Sequence, residues 1–415
     1  MVGLAAALAA GTLIAVGSAS PGSGITAGGR HLTGGLVSPL ESLAWPLTHR
    51  RFLALLVVMA AGYLLATACA RGLRARWALG AVVLLHVLFA LAPPLLSTDV
   101  FSYVDYARLG AVHGLNPYVD PPAAAPADPS FALAGGIWRH VPTTYGPLFT
   151  LMGYPLARLG VAASVWGEKA LAGLAGLACV AAVWSCARAR GRPPLPASLL
   201  VGLNPLLLVY GVGGAHNDLL MLALTMAGVL LVLREREAAG AATVVAATAV
   251  KATAGVVLPF LVAGRRSQWR AAVIGAAGAA AALLALDAVA FGAGGAHLLT
   301  SLRREQSLVS YNAFPTLTAR LAGLPGVFPL DRLLLHLAFG AVVLGLLWAV
   351  RRGMDWVAAA GWALAALMIA SAWVQAWYMV WPLPLAAVGG DRRLVAAVLA
   401  AEGLFAATQF GPLLA

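Results

Sequence analysis

Few residues in this chain can do chemistry, and most of them fall in a few places. Of 15 acidic residues, Asp99, Asp105, Asp120 and Asp128 lie in one long polar stretch, Ser97 to Pro147. The segment Ser97-Thr-Asp-Val-Phe-Ser-Tyr-Val-Asp-Tyr-Ala-Arg108 reads as the opening of a helix. At 3.6 residues per turn, Asp99, Tyr103 and Tyr106 share a face. Plain structural roles compete here. Ser97 or Thr98 can cap the helix, with Asp99 suiting its dipole, and Asp105 can pair with Arg108 at i, i+3. Those roles leave Tyr103 and Tyr106 unexplained. Asn116 and Tyr118 follow in a turn, and Trp138 and Tyr145 lie further on; the two aromatics suit either an interfacial belt or a ligand contact.

Other constellations lie far along the chain. Gly211-Val-Gly-Gly-Ala-His-Asn-Asp218 sets His216, Asn217 and Asp218 side by side at a helix start after a glycine-rich break. One such residue suits a cap; three adjacent ones argue for a binding surface. Lys251 lies inside an apolar stretch, where it either snorkels to an interface or meets a phosphate. Arg303 and Arg304 precede Tyr311 and Asn312, and two arginines there suit either a lipid-linked phosphate or anionic headgroups. Gln375, Trp377 and Tyr378 close the set.

The elements that must position these residues are apolar helices. Hydrophobic residues make up 61% of the 415, charged ones 10%, and mean hydropathy is +0.88. Runs of about 20 apolar residues recur, each long enough to cross a bilayer. They are continuous rather than alternating, which excludes a barrel and leaves helices. Spans are expected at 3–19, 52–70, 77–96, 166–187, 195–212, 217–233, 271–291, 330–350, 355–374, 376–390 and 394–412. The first is read as a span rather than a cleavable signal. Cys69, Cys179 and Cys186 have neither metal-ligand nor disulfide spacing. The chain reads as one domain over 1–415, without internal repeats.

The net charge of +12 comes from short arginine clusters between spans, a positive-inside pattern rather than a nucleic-acid surface. With those clusters in the cytoplasm, the segments 20–50, 97–165, 213–216, 292–329 and 375–376 face outward. Arg303 and Arg304 are then exceptions on the outer side. The stretch 146–162 lies on or dips into the outer face. The stretch 240–262 must begin and end on one side: either it is re-entrant, broken at Gly255 and Pro259, or one arginine cluster is misplaced.

In this order the pieces resemble the GT-C glycosyltransferases that use polyprenyl-phosphate sugars. The nearest likeness is to the actinobacterial polyprenol-phosphomannose-dependent α-1,6-mannosyltransferases. The residues that carry it are 97–103, Gly114-Leu-Asn-Pro-Tyr118, Thr144-Tyr-Gly-Pro147, Asn204-Pro205, Gly213 to Asp218, Lys251 and Gln375-Ala-Trp-Tyr378. The resemblance implies an all-α polytopic GT-C fold of about 11–13 transmembrane or re-entrant helices with a long first outer loop. It also implies an inverting transfer of mannose to a glycolipid or lipoglycan acceptor, at the extracytoplasmic face of a bacterial plasma membrane. Asp99 stands where such enzymes carry their catalytic base. Lys251, Arg303 and Arg304 become candidates for the donor phosphate. Tyr103, Asp105, Tyr106, Asn116, Tyr118, Tyr145, His216, Asn217, Asp218, Tyr311, Asn312, Gln375, Trp377 and Tyr378 become candidates for sugar or acceptor. No cofactor or nucleic-acid partner is expected; a divalent metal is not indicated. Another sugar or a protein acceptor is the alternative within the fold. A lipid or solute transporter is the alternative outside it, disfavoured by the absence of repeats.

Overall fold

The computed structural model describes residues 1–27, 34–292 and 297–410. Parts of the expected outer segments, 28–33 and 293–296, and the end of the expected last span, 411–412, lie outside the described residues. The described residues are helical, with no strand; one isolated bridge joins Thr26 to Leu95.

Three helices precede the polar stretch: α1 (Val2–Ser18), α2 (His49–Ala68) and α3 (Ala75–Leu91). The polar stretch itself carries α4 (Asp99–Ala111) and α5 (Pro147–Ala157). Next come α6 (Val161–Ala189), α7 (Pro194–Gly202), α8 (Asp218–Leu233), α9 (Glu237–Thr248) and α10 (Leu258–Gly264). The remainder is α11 (Trp269–Phe291), α12 (His297–Ser307), α13 (Phe314–Leu321), α14 (Pro329–Arg351), α15 (Trp356–Ala370), α16 (Leu383–Gly389) and α17 (Arg392–Phe410). Helices α2, α6, α11 and α14 are each long and apolar enough to cross a membrane. Only 6% of the spanning windows of α11 and α14 is buried, so these two present apolar side chains outward, as helices bathed in lipid do. The protein is an all-α polytopic membrane protein.

Small residues bring the helices together. A Cβ on Gly228 of α8 would stand 2.8 Å from the carbonyl of Gly240 on α9, and the reverse holds at the same distance. Only glycine permits that approach, the usual device for packing helices in lipid.

The stretch 237–265 goes in and comes back. Arg265 at its end binds Glu237 at its start, Nη2 to Oε1 at 2.7 Å, so both ends lie on one side. This is the re-entrant arrangement, and no arginine cluster need change sides. The break, however, is at Ala249–Lys251 rather than at Gly255 and Pro259, which sit in the returning limb. The reason is tertiary. The amides of Gly146 and Leu148 donate to the carbonyls of Val250 and Ala249, at 3.2 and 3.1 Å, which α9 would otherwise have used to continue.

The basic clusters gather at one end. Arg190 pairs with Asp355 at 2.5 Å, Arg265 with Glu237, and Arg266 donates to the carbonyl of Arg351. The polar residues of interest lie at the other end.

Candidate active site

Helix α4 begins at Asp99, whose carboxylate lies within hydrogen-bonding reach of the Ser97 hydroxyl. The hydroxyl of Ser97 accepts the Asp99 amide at 3.2 Å, while Thr98 makes no side-chain cap bond. The Asp99 carboxylate faces a cavity of about 500 Å³, with its side chain 18% exposed. Burial raises its pKa to about 6; Lys251 and the Ser97 bond oppose that rise, while Asp218 and Glu305 add to it.

Behind Asp99 stands His216, fully buried. Its Nδ1 is 3.6 Å from an Asp99 oxygen and 3.4 Å from the Tyr103 hydroxyl. Its ring stacks on Trp377 at 3.7 Å and 17°. Two sequence features put the imidazole there. Residues Leu207–Val212 form a π-helical turn, a local widening common at functional sites. Gly214 then lies against the ring, where a Cβ would come within 2.8 Å of it. Lys169, wholly buried, donates to the carbonyls of Phe89 and Gly213, both at 2.7 Å, and so ties this turn to the end of α3.

Lys251 stands at the tip of the broken stretch. Its Nζ donates to both oxygens of Asp218, at 2.9 and 3.0 Å, and Trp381 Nε1 donates to the same carboxylate at 2.6 Å. The ammonium also lies 4.4 Å from the Tyr378 ring centroid and 5.3 Å from that of Trp381. Tyr378 donates to Glu305 at 3.3 Å. Burial raises the pKa of Glu305, against the lowering effect of Lys251. Tyr145 is locked by edge-on contact with Tyr103 at 4.8 Å. Its neighbour Gly146 is pressed on the turn at the tip: a Cβ there would stand 2.0 Å from the Ala249 carbonyl.

Among the expected residues, Asp99, Tyr145, Lys251, Gln375, Trp377 and Tyr378 line this cavity, and Trp138 does too. Tyr103, His216, Asn217 and Asp218 converge on it but are buried one layer behind its wall. Of the set expected to contact sugar at 216–218, His216 lies against Asp99 and Asp218 binds Lys251. Tyr106 and Tyr118 donate to the carbonyls of Val141 and Tyr145, and Asn116 to that of Phe291, each holding a loop. Asp105 is buried, one oxygen without a partner, and burial raises its pKa to about 7. It does not pair with Arg108, which binds Asp128 instead, Nε to the carboxylate at 2.9 and 3.0 Å. Arg303 and Arg304 are exposed and line neither this cavity nor the adjoining one, of about 270 Å³, that also includes Lys251 and Trp381. Tyr311 is exposed under Arg320, and Asn312 bonds to Gln409 beside a separate apolar groove. Glu305, Trp373 and Thr26 are cavity residues outside the expected set. Among the described residues no group of three His, Cys, Asp or Glu side chains could hold a metal ion.

Fold and site together describe a polytopic membrane protein with a carboxylate and a cation facing one aromatic-walled cavity at the end remote from its basic clusters. By sequence this chain belongs to the alpha-(1->6)-mannopyranosyltransferase family. The family's N-terminal domain matches residues 2–265, and the MptB C-terminal domain matches residues 320–410. The chain is 32% identical over 352 residues to alpha-(1->6)-mannopyranosyltransferase A of Mycobacterium tuberculosis, covering 74% of this chain and 65% of that protein. A probable alpha-(1->6)-mannopyranosyltransferase of Mycolicibacterium smegmatis is 30% identical over 77% of this chain and 67% of its own length. Alpha-(1->6)-mannopyranosyltransferase A of Corynebacterium glutamicum is 35% identical over 41% and 35%. The chain thus spans about two thirds of the length of the first two of these relatives. No solved structure matches it.

Proposed function

We propose that this protein is an inverting mannosyltransferase that takes mannose from a polyprenyl-phosphomannose donor. It passes the sugar to a glycolipid or lipoglycan acceptor of the cell envelope, forming α-1,6 linkages. The observation that carries this reading is the pairing of Asp99 and Lys251 on one aromatic-walled cavity of about 500 Å³. The family membership supports the sugar and the linkage.

The transfer is one in-line displacement at the anomeric carbon. The acceptor oxygen forms the new bond while the bond to the donor phosphate breaks, and the phosphate leaves with the electron pair as a lipid monoester. The leaving phosphate needs no proton, unlike the alcohol in a glycosidase, so one carboxylate is enough. Asp99 accepts the acceptor hydroxyl proton. A raised pKa makes it a better base than an ordinary aspartate while leaving it ionised at neutral pH. His216 and its stack on Trp377 hold the carboxylate toward the cavity. Lys251 has three donors, of which two go to Asp218; the third is available to the phosphate, stabilising the charge that builds there. Asp218 aims the ammonium. Trp138, Tyr145, Trp373 and Trp377 give the sugar apolar faces to stack on. The basic clusters at the opposite end support a cavity on the extracytoplasmic side of the plasma membrane.

The test is label transfer in membranes from several polyprenyl-phosphate sugars to endogenous glycolipid. Label should pass from the mannosyl donor. Absence of transfer from every such donor rejects the reading, and preference for another sugar rejects mannose.

A further inference from the structure

A second carboxylate faces the cavity of Asp99. Glu305 lines that cavity together with Asp99 and Lys251. The transfer described above uses one carboxylate and gives Glu305 no part. Its side chain is carried in by α12: Leu302, one turn earlier, lies on the same face and lines the adjoining cavity, while Arg303 and Arg304 are exposed. The cation on the same cavity, Lys251, gives its ion pair to the buried Asp218. Glu305 Oε1 accepts from the Tyr378 hydroxyl at 3.3 Å, which is long for such a bond. Burial raises the pKa of Glu305; Lys251 and bonds from Tyr378 and Thr144 act against that rise, and Asp218 adds to it. A half-buried carboxylate with a long bond to a neutral donor, in a site that also takes in a phosphate, is costly until a substrate supplies it with a donor.

We propose that Glu305 binds the donor sugar, accepting a hydrogen bond from the 2-hydroxyl of mannose. The inference rests on the donor class proposed above. In an in-line displacement the leaving phosphate and the acceptor oxygen stand on opposite sides of the anomeric carbon. Lys251 marks the first side and Asp99 the second, so the sugar ring lies between them, in the cavity that Glu305 also faces. The hydroxyl nearest the reacting carbon is the one on the next carbon, the 2-hydroxyl. Positive charge builds at the anomeric carbon in the transition state, and a hydrogen bond from the 2-hydroxyl strengthens with it, as in glycoside hydrolysis. A carboxylate is the stronger acceptor for that bond. Glu305 therefore acts on kcat as well as on donor KM.

The test measures kcat/KM for polyprenyl-phosphate donors carrying mannose or its 2-deoxy analogue, with the parent protein, Glu305→Ala and Glu305→Gln. The readout is each protein's preference for the mannosyl over the deoxy donor. The intrinsic reactivity of the deoxy sugar is common to all three proteins and cancels. The preference should fall about 10- to 100-fold in Glu305→Ala, the worth of a hydrogen bond to a charged acceptor. It should fall less in Glu305→Gln, which keeps an oxygen for the 2-hydroxyl but no charge. A glutamate that only buttresses Tyr378 affects both donors alike. An unchanged preference in both variants, whatever their absolute rates, overturns the proposal. So does a Glu305→Ala inactive with both donors beside a Glu305→Gln of unchanged preference, which assigns a structural role. Failure of the unaltered protein to use the mannosyl donor is a different result, and rejects the donor reading itself.

Discussion

Replacing Lys251 by Met should separate its two roles. Asp218 is wholly buried, and Lys251 is the cation bonded to it. Removing the lysine leaves that carboxylate with the Trp381 N–H, a neutral donor at 2.6 Å. Breaking a buried pair in this way costs about 3–5 kcal/mol, a large part of the roughly 5–15 kcal/mol by which domains are stable. A second change, Asp218→Asn, removes the stranded charge and should recover most of that loss. It should not recover transfer, because the leaving phosphate still lacks its cation. Losing one such electrostatic contact costs about 100- to 1,000-fold in rate. The assay pairs thermal unfolding in lipid nanodiscs with label transfer for the single and double variants. Near-normal transfer in the folded double variant would refute the phosphate role and leave Lys251 as a counter-ion only. An unchanged melting temperature in the single variant would refute the buried pair.

Three other perturbations have defined outcomes. Arg303→Gln with Arg304→Gln should leave donor KM within about twofold, since these side chains are exposed and off the cavity; a loss of about tenfold, worth 1.4 kcal/mol, would bring them back to the phosphate. Gly146→Ala should destabilise by about 1–3 kcal/mol and lower transfer, because its Cβ would overlap the Ala249 carbonyl and push the Lys251 tip away; unchanged melting and activity would deny that contact. Asp128 is held below the usual carboxyl range: burial acts the other way, but bonds from Arg108, His113 and Ser130 outweigh it. A depressed folded pKa gives stability that is present above about pH 4 and lost as pH falls further, so acid should lower the melting temperature of the parent more than that of Asp128→Asn.

Much of this was legible in the sequence because apolar runs need no partner to be read. The expected span at 271–291 is α11 and that at 330–350 is α14, to within two residues at each end. The polar turn that follows α3 marks Asp99 as a candidate, and the structure sets it on the cavity wall. Gly255 and Pro259 are local signals for a break in 240–262, whereas the actual break is made by amides of Gly146 and Leu148, about a hundred residues earlier. The same reason hid Lys169, whose acceptors on Phe89 and Gly213 are 80 and 44 residues away. Helix α12 shows the limit of facing: Glu305 lines the cavity while Arg303 and Arg304 do not, and only the packing of that helix decides which. The span expected over 195–212 is divided at Asn204, whose side chain accepts the Leu207 amide at 3.0 Å and donates to Glu402 at 2.8 Å.

The central claim is that Asp99 takes the acceptor's proton. Asp99→Asn keeps the shape and the backbone bond to Ser97, so the folded protein should survive. Its transfer rate should fall by about 100- to 10,000-fold, the range for loss of a general base. In the unaltered protein the raised pKa means that the carboxylate is protonated, and transfer lost, as pH falls below about 6. The measurement is the pH profile of kcat/KM for mannosyl transfer by both proteins in the same lipid. An acid limb near pH 6 that is absent from the residual activity of Asp99→Asn is the predicted result. Transfer by Asp99→Asn within tenfold of the parent, with the same acid limb, would contradict it.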